Sequence, residues 1–213
     1  MKEIKVKVCG LTDPSNIAEV SILKPHFMGF ILYEGSPRHV SLKKARTLTK
    51  NIPASIQKVG VLVNEPFENA MKIAQSGVFN LLQLHGNESI EYCRKLSMHI
   101  GIIKTFSISN TLPENLSDYQ AYCRMFLFDT AGGKFGGTGK MFDHRILSGY
   151  SPDTGYILSG GISSVDSGYI KSIHSDKMVG IDLNSRFEVR PGIKDIILLK
   201  NFIEKLRKHD IND

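Results

Sequence analysis

Cysteine is scarce in this 213-residue chain, and the three present, Cys9, Cys93 and Cys123, show no C-x-x-C spacing. That excludes a disulfide framework and a cysteine-based zinc site, and it fits a reducing cytoplasm. Histidine offers no metal site either, since His26, His39, His99, His144, His174 and His209 form no H-x-x-x-H or comparable spacing. No stretch approaches the roughly 18 apolar residues that a membrane span needs. The opening M-K-E-I-K-V-K-V has no uninterrupted apolar run, so a signal peptide is not expected. No Pro/Ser-rich linker or low-complexity segment divides the chain, and one domain over residues 1–213 is expected.

Of the residues, 41% are apolar and 23% charged, an ordinary balance for a globular protein. The net charge of +6 is scattered rather than clustered. Its densest runs, Lys43, Lys44 and Arg46, then Lys205, Arg207 and Lys208, fall in helical patterns and read as solvated faces. Neither nucleic acid nor membrane is implied as a partner. A modest positive field would instead draw in a small anionic substrate.

Eight apolar, β-branched runs recur along the chain: I-K-V-K-V, F-M-G-F-I-L, V-G-V-L-V, L-L-Q-L, I-G-I-I-K-T-F, F-L-F, Y-I-L-S and M-V-G-I-D-L. Between them lie helical patterns with start signals. Asp13-Pro14 opens the first, Ser41 the second and Pro66 the third, while the last turns Ile196, Leu199, Ile203 and Leu206 inward. The pattern after Phe142 is the weakest and reads as a single turn. Strands alternating with helices imply an α/β protein with a parallel sheet covered on both faces. Eight units in 213 residues, about 27 each, match a minimal single-domain (β/α)8 TIM barrel. The rival is an open doubly wound sheet. It usually places G-x-G-x-x-G after its first strand, where this chain has Cys9-Gly10-Leu11-Thr12.

In such a barrel, reactive groups stand at the C-terminal ends of the strands. Cys9 ends the first run, and Lys5, Lys7 and Cys9 share one strand face. A Lys7 ammonium beside the sulfur would lower its pKa and enrich the thiolate; the alternative is a small buried hydrophobe. Cys93 and Cys123 fall in helical patterns and read as core. Asp129 follows F-L-F directly and precedes a stretch with five glycines, Gly132, Gly133, Gly136, Gly137 and Gly139. It is either a turn aspartate or an acid–base group, since a carboxyl against an apolar wall can serve as a general acid.

Asp182, at the end of the eighth run, is open to capping or substrate contact alike. Gly160-Gly161 after the seventh run, with Asn184-Ser185 after the eighth, form either plain turns or the phosphate cradle that barrels build there. Arg38, in the loop after the second run, is either exposed or a fork for a carboxylate. Gln83 and His85 share a face of the fourth run, and His85 is equally open to a structural or a catalytic role.

Together these segments resemble the phosphoribosylanthranilate isomerase family. The matching stretches run in order: K-V-C-G-L-T (7–12), M-G-F-I-L-Y-E-G-S-P-R (28–38), V-G-V-L-V-N (59–64), L-Q-L-H-G (82–86), F-D-T…G-G-T-G-K-M-F-D (128–143), L-S-G-G-I (158–162) and D-L-N-S…E…P-G-I-K-D (182–195). The resemblance implies Cys9 as catalytic cysteine, Asp129 as general acid and Arg38 as the arginine for the anthranilate carboxylate. It implies an Amadori rearrangement of a small phosphorylated substrate in tryptophan biosynthesis, with no cofactor, carried out by a monomer or weak homodimer.

The chain departs from the family pattern at His144, where tryptophan is common, at Ser159, where alanine is frequent, and at Arg186, where glycine is usual. Two alternatives stand beside this reading. One is another phosphate-binding barrel isomerase or epimerase, and the other is a non-catalytic binding barrel.

Overall fold

Side chains along a strand alternate between faces, so a strand buried on both sides carries two separate apolar sets. That patterning closes into a ring in the computed structural model, which describes residues 3–130, 143–173 and 175–208. Its eight parallel strands follow in chain order around a closed barrel. They are β1 (Lys5–Cys9), β2 (Phe27–Ile31), β3 (Gln57–Leu62), β4 (Leu81–Leu84), β5 (Gly101–Ile108), β6 (Met125–Thr130), β7 (Tyr156–Leu158) and β8 (Met178–Leu183). β8 pairs back onto β1 with Lys7 opposite Asp182. The glycine-rich stretch with Gly132, Gly133, Gly136, Gly137 and Gly139 lies outside the described residues, as do His174 and His209.

Helix starts fall where the caps require. Asp13 accepts the Asn16 backbone N–H at 2.9 Å and Ser41 that of Lys44 at 3.2 Å, opening α1 (Pro14–Ile22) and α2 (Leu42–Thr49). α3 (Phe67–Gln75) and α4 (Ile90–Ser97) follow β3 and β4. The second half is more economical. α5 (Leu116–Tyr119) has only four residues, and between β6 and β7 the described residues hold a short 3-10 helix, His144–Gly149. α6 (Ser167–Ser172) precedes β8, and α7 (Ile196–Arg207) closes the ring. Because α5 is so short, Cys123 does not sit in a helix as its pattern suggested; it lies buried in the link to β6. The eight runs also miss one element, a small antiparallel hairpin of β9 (Glu188–Arg190) and β10 (Ile193–Lys194).

Inside the barrel, Phe27, Val59, Leu81, Ile103, Leu127 and Ile157 form one apolar cluster that plugs the lower half. Two residues further along the same strands stand Gly29, Val61, Gln83, Thr105, Asp129 and Ser159. The strand repeat therefore puts a partly polar layer directly on top of a dry plug. A larger apolar set between the barrel's outer face and the helices forms the main core.

One buried ion pair braces the rim. Lys104, pointing out from β5, meets Glu88 at 2.9 Å with side chains 3% and 2% exposed. Its Nζ also donates to the Gly86 carbonyl at 2.7 Å, while Glu88 accepts the backbone N–H of Asn64 and Gly86 at 2.9 and 3.1 Å. The loops after β3 and β4 are thus tied together beneath His85. Removing one partner of such a pair leaves an uncompensated buried charge. Lys104→Met should therefore cost about 3–5 kcal/mol of unfolding free energy in urea. Arg94→Ala, which removes the exposed pair with Glu91, should leave the midpoint unchanged. A loss well below 1 kcal/mol for Lys104→Met would remove the pair from the account of the rim.

Candidate active site

The strand ends converge on a cavity of about 200 Å³ at the top of the barrel. Cys9, Arg38, Gln83, His85, Asp129, Gly160, Gly161, Asp182, Asn184 and Ser185 all face it. Lys7 does not; it lies one layer lower, 1% exposed. Cys93 and Cys123 are buried elsewhere in the core.

Cys9 occupies the last position of β1 and is 3% exposed. Its sulfur fits because the neighbouring β2 residue is Gly29: a Cβ there would stand 2.6 Å from Sγ and 3.2 Å from the Cys9 Cα. Beneath it, Lys7 Nζ donates to Asp182 Oδ2 at 2.7 Å. Burial raises the Cys9 thiol pKa, Lys7 opposes that, Asp182 adds to it, and the net direction is upward.

This corrects the expected net lowering of the thiol, though not the direction in which Lys7 acts on it. The ammonium does pull the thiol down, but it is already paired with a carboxylate 175 residues away, and burial outweighs it. Burial draws the Lys7 ammonium down as well, yet Asp182 and Cys9 more than offset this and hold it above its ordinary range. Asp182 is also raised, by burial first, with Lys7 opposing and Asp129 adding. An ion pair alone cannot raise both of its partners. The contact is what keeps Lys7 charged, while desolvation and Asp129 push Asp182 up.

Across the cavity, Asp129 Oδ2 lies 3.4 Å from His85 Nε2, and His85 Nδ1 meets Gln83 Nε2 at 2.9 Å. The amide donates in that contact, so Nδ1 accepts and Nε2 carries the proton toward Asp129. The other carboxylate oxygen accepts the Thr130 N–H at 2.9 Å. Gly160, at φ +87°, closes over this group; a Cβ there would lie 2.9 Å from Asp129 Oδ1 and closer still to Thr130. Gly161 also takes a positive φ of 71°, so the pair turns the chain sharply, which fits a plain turn and a phosphate cradle alike. Of the residues that line the cavity, two carry a buried oxygen without a hydrogen-bond partner among the described residues, Gln83 Oε1 and Asp182 Oδ1.

Arg38 is neither exposed nor an open fork. Glu188 of β9 takes its Nε and Nη2 at 2.9 and 2.6 Å, and Lys194 of β10 reaches Glu188 at 2.7 Å and Asn184 Oδ1 at 2.8 Å. Sequence reasoning gave no role to Glu188 or Lys194. The signal was present in the E…P-G-I-K-D spacing, but two charges in a short loop do not declare a partner 150 residues earlier. Arg186 stands in the 3-10 turn Ser185–Phe187, exposed, on the rim of the cavity. His144 is buried and stacks on Tyr169 with ring centres 5.4 Å apart, a packing role.

Comparison with known proteins points one way. Residues 6–205 match the family model described as N-(5′-phosphoribosyl)anthranilate (PRA) isomerase. The N-(5′-phosphoribosyl)anthranilate isomerase of Parabacteroides distasonis is 42% identical, covering 94% of this chain and 92% of its own. That of Phocaeicola vulgatus is 37% identical over 95% of this chain and 98% of its own. Among solved structures, phosphoribosyl anthranilate isomerase from Thermotoga maritima superposes with a TM-score of 0.84 at 31% identity, covering 96% of this chain and 98% of that one. A structure of phosphoribosyl anthranilate isomerase in complex with reduced 1-(o-carboxyphenylamino)-1-deoxyribulose 5-phosphate superposes at 0.80 with 29% identity over the same shares.

The raised thiol has a measurable consequence. Iodoacetamide should modify Cys9 slowly at pH 7, with a rate that rises through a midpoint above the ordinary thiol value of roughly 8.5. Lys7→Met combined with Asp182→Asn should move that midpoint further up, because the pull of Lys7 exceeds the push of Asp182. A midpoint at or below the ordinary value would overturn the assignment of burial as the dominant influence.

Proposed function

We infer that this chain, which belongs to the N-(5′-phosphoribosyl)anthranilate isomerase family, carries out its chemistry with Cys9 as base and Asp129 as acid. Its activity is the Amadori rearrangement of N-(5-phosphoribosyl)anthranilate to 1-(2-carboxyphenylamino)-1-deoxyribulose 5-phosphate, an intramolecular oxidation–reduction of tryptophan biosynthesis. The observation that carries the residue assignment is that Cys9 and Asp129 open into one cavity, which Arg38 and the Gly160-Gly161 and Asn184-Ser185 turns also line.

The chemistry asks for one proton to be given to the ring oxygen on C1 and one to be taken from the neighbouring C2. Asp129 gives a proton to the furanose ring oxygen, the C1–O bond breaks, and the nitrogen lone pair forms a protonated Schiff base. That cation acidifies the C2 hydrogen, which the Cys9 thiolate removes to leave an enolamine. The enolamine then tautomerises to the ketone. The substrate's own nitrogen is the electron sink, so C1 is reduced as C2 is oxidised and no external oxidant enters. His85, hydrogen-bonded to Gln83, is placed to orient the Asp129 carboxyl.

Substrate recognition follows from the walls. Ile31, Val61 and Val63 supply an apolar side for the aromatic ring, and Arg38 lies within reach of its carboxylate. The Gly160-Gly161 and Asn184-Ser185 backbones supply the phosphate cradle, with Arg186 adding positive charge at its rim. Among the described residues no helix is long and apolar enough to cross a membrane, and no group of His, Cys, Asp and Glu could hold a metal. A cytoplasmic setting accords with three free cysteines, and a monomer or weak homodimer is the proposed state.

The direct test supplies phosphoribosylanthranilate, generated in situ, and follows loss of its anthranilate-type fluorescence. Cys9→Ala and Asp129→Ala should each lower kcat by roughly 10²–10⁴, the usual size of a general acid–base contribution. Cys93→Ala and Cys123→Ala should leave turnover nearly unchanged. Folded Cys9 or Asp129 variants with wild-type kcat would sink the assignment.

The departure at Arg186 yields a second test. Arg186→Gly should weaken competitive inhibition by inorganic phosphate by about two- to fivefold, the range for an exposed charge. No change would remove Arg186 from the cradle.

A further inference from the structure

We propose that Glu188 is the positioning residue of the carboxylate subsite, clamping Arg38 so that one edge of its guanidinium meets the substrate, with Lys194 tying that clamp to the phosphate loop. The proposal rests on the reading above that Arg38 binds the anthranilate carboxylate.

An arginine presents its donors in a fixed planar fork, and a carboxylate that fills one edge decides where the other edge points. Both Glu188 oxygens are engaged on Arg38, with Nε at 2.9 and 3.0 Å and Nη2 at 2.6 Å. Nη1 has no partner among the described residues, and Arg38 faces the cavity whereas Glu188 does not. Glu188 therefore acts through Arg38 and touches no substrate itself. Room for this arrangement comes from Gly10, at φ +79°, where a Cβ would stand 2.5 Å from Arg38 Cδ and 2.8 Å from Asn184 Oδ1.

The clamp is itself held. Glu188 and Lys194 are cross-strand neighbours in the β9–β10 hairpin, and their side chains are 4% and 0% exposed at a separation of 2.7 Å. Glu188 also accepts the Gly192 N–H at 3.1 Å. Lys194 Nζ continues to Asn184 Oδ1 at 2.8 Å, and the Lys194 backbone is fixed by Asn16, whose side chain accepts its N–H at 2.7 Å. A continuous run of hydrogen bonds therefore links Arg38 to the loop of the phosphate cradle.

Charge gives the arrangement its selectivity. Two cations, Arg38 and Lys194, share one carboxylate in a largely desolvated place, so the three groups together carry an excess of positive charge. Such an excess is costly in low dielectric. A substrate carboxylate at Nη1 would complete the set, whereas an uncharged aromatic amine would leave it incomplete. The hairpin thus reads as a device for selecting an anionic aglycone.

Steady-state kinetics with phosphoribosylanthranilate generated in situ, and inorganic phosphate as competitive inhibitor, test this. Glu188→Gln should raise KM by roughly 10–100-fold, the size of a lost charge-assisted hydrogen bond. The fall in kcat should stay under about threefold and the phosphate inhibition constant should stay within about twofold, a split that general loosening would not give. In an Arg38→Met background, adding Glu188→Gln should change KM by less than about twofold, because the orientation it supports is already gone.

Independent effects in that cycle, or phosphate inhibition lost together with KM, would make Glu188 a hairpin staple and overturn the proposal. Where Glu188→Gln does not fold, Glu188→Asp keeps the charge balance and carries the same cycle, with a smaller rise in KM. Wild-type turnover checks the functional reading separately. If turnover is present but Arg38→Met leaves KM unchanged, the carboxylate premise fails and the clamp with it.

Discussion

An ammonium cannot be left alone in a barrel wall, and that constraint organises the upper half of this molecule. Three lysines are buried among the described residues: Lys7, Lys104 and Lys194. Each lies against one carboxylate, Asp182, Glu88 and Glu188, at 2.7, 2.9 and 2.7 Å. Such pairs add little net stability, because desolvation of the two charges offsets their attraction. What they contribute is position, since breaking one leaves a stranded charge. The pairs stand at three places around the cavity: under Cys9, beneath the rim that carries His85, and behind Arg38. The apolar plug is held by non-directional contacts, whereas each of these charges is held by a named partner.

This explains which parts of the fold were legible in the sequence and which were not. The barrel was, because a parallel strand writes its burial into a local run such as L-L-Q-L or M-V-G-I-D-L, and both runs coincide with strands. Positions at strand ends were legible for the same reason: the repeat of two that buries Leu127 and Leu81 carries Asp129 and Gln83 to the top. Pairings were not. Nothing local in K-V-K-V-C says that Lys7 meets Asp182, and nothing in E-V-R-P-G-I-K says that Glu188 meets Arg38. The missed helix ends have a similar origin. Cys123 follows a segment rich in Asn, Ser and Asp, weak helix formers, and neighbouring packing decides where such a helix stops.

The dominance of burial over Lys7 changes how the proposed base works. A thiol lowered by a free ammonium would be mostly ionised at neutral pH but weakly basic, because basicity falls with pKa. A thiol raised by burial is seldom ionised in the free enzyme, yet each thiolate is a stronger base toward a carbon acid. The proposed mechanism suits the second case. A further positive charge appears beside Cys9 when the substrate opens to its cationic Schiff base, and that cation favours the thiolate at the step that needs it. Lys7 then has a second duty beside its pull on the thiol, which is to keep Asp182 from adding its full negative charge to the site.

Three glycines show how little slack remains. Gly29 leaves room for the Cys9 sulfur, Gly160 for the turn over Asp129, and Gly10 for the Arg38 stem; a Cβ at each would come within 3 Å of the group concerned. Gly10 and Gly160 also take positive φ, which any other residue would hold only under strain, whereas Gly29 lies in an ordinary strand. Its side chain is missing for reasons of space alone. A glycine in a strand interior lowers stability by giving up packing and ordering entropy, and here that loss is taken directly beside the proposed base. The barrel therefore gives up some cohesion of its wall at β2 to set a thiol flush with the cavity. This reading makes Gly29 part of the site even though no chemistry passes through it.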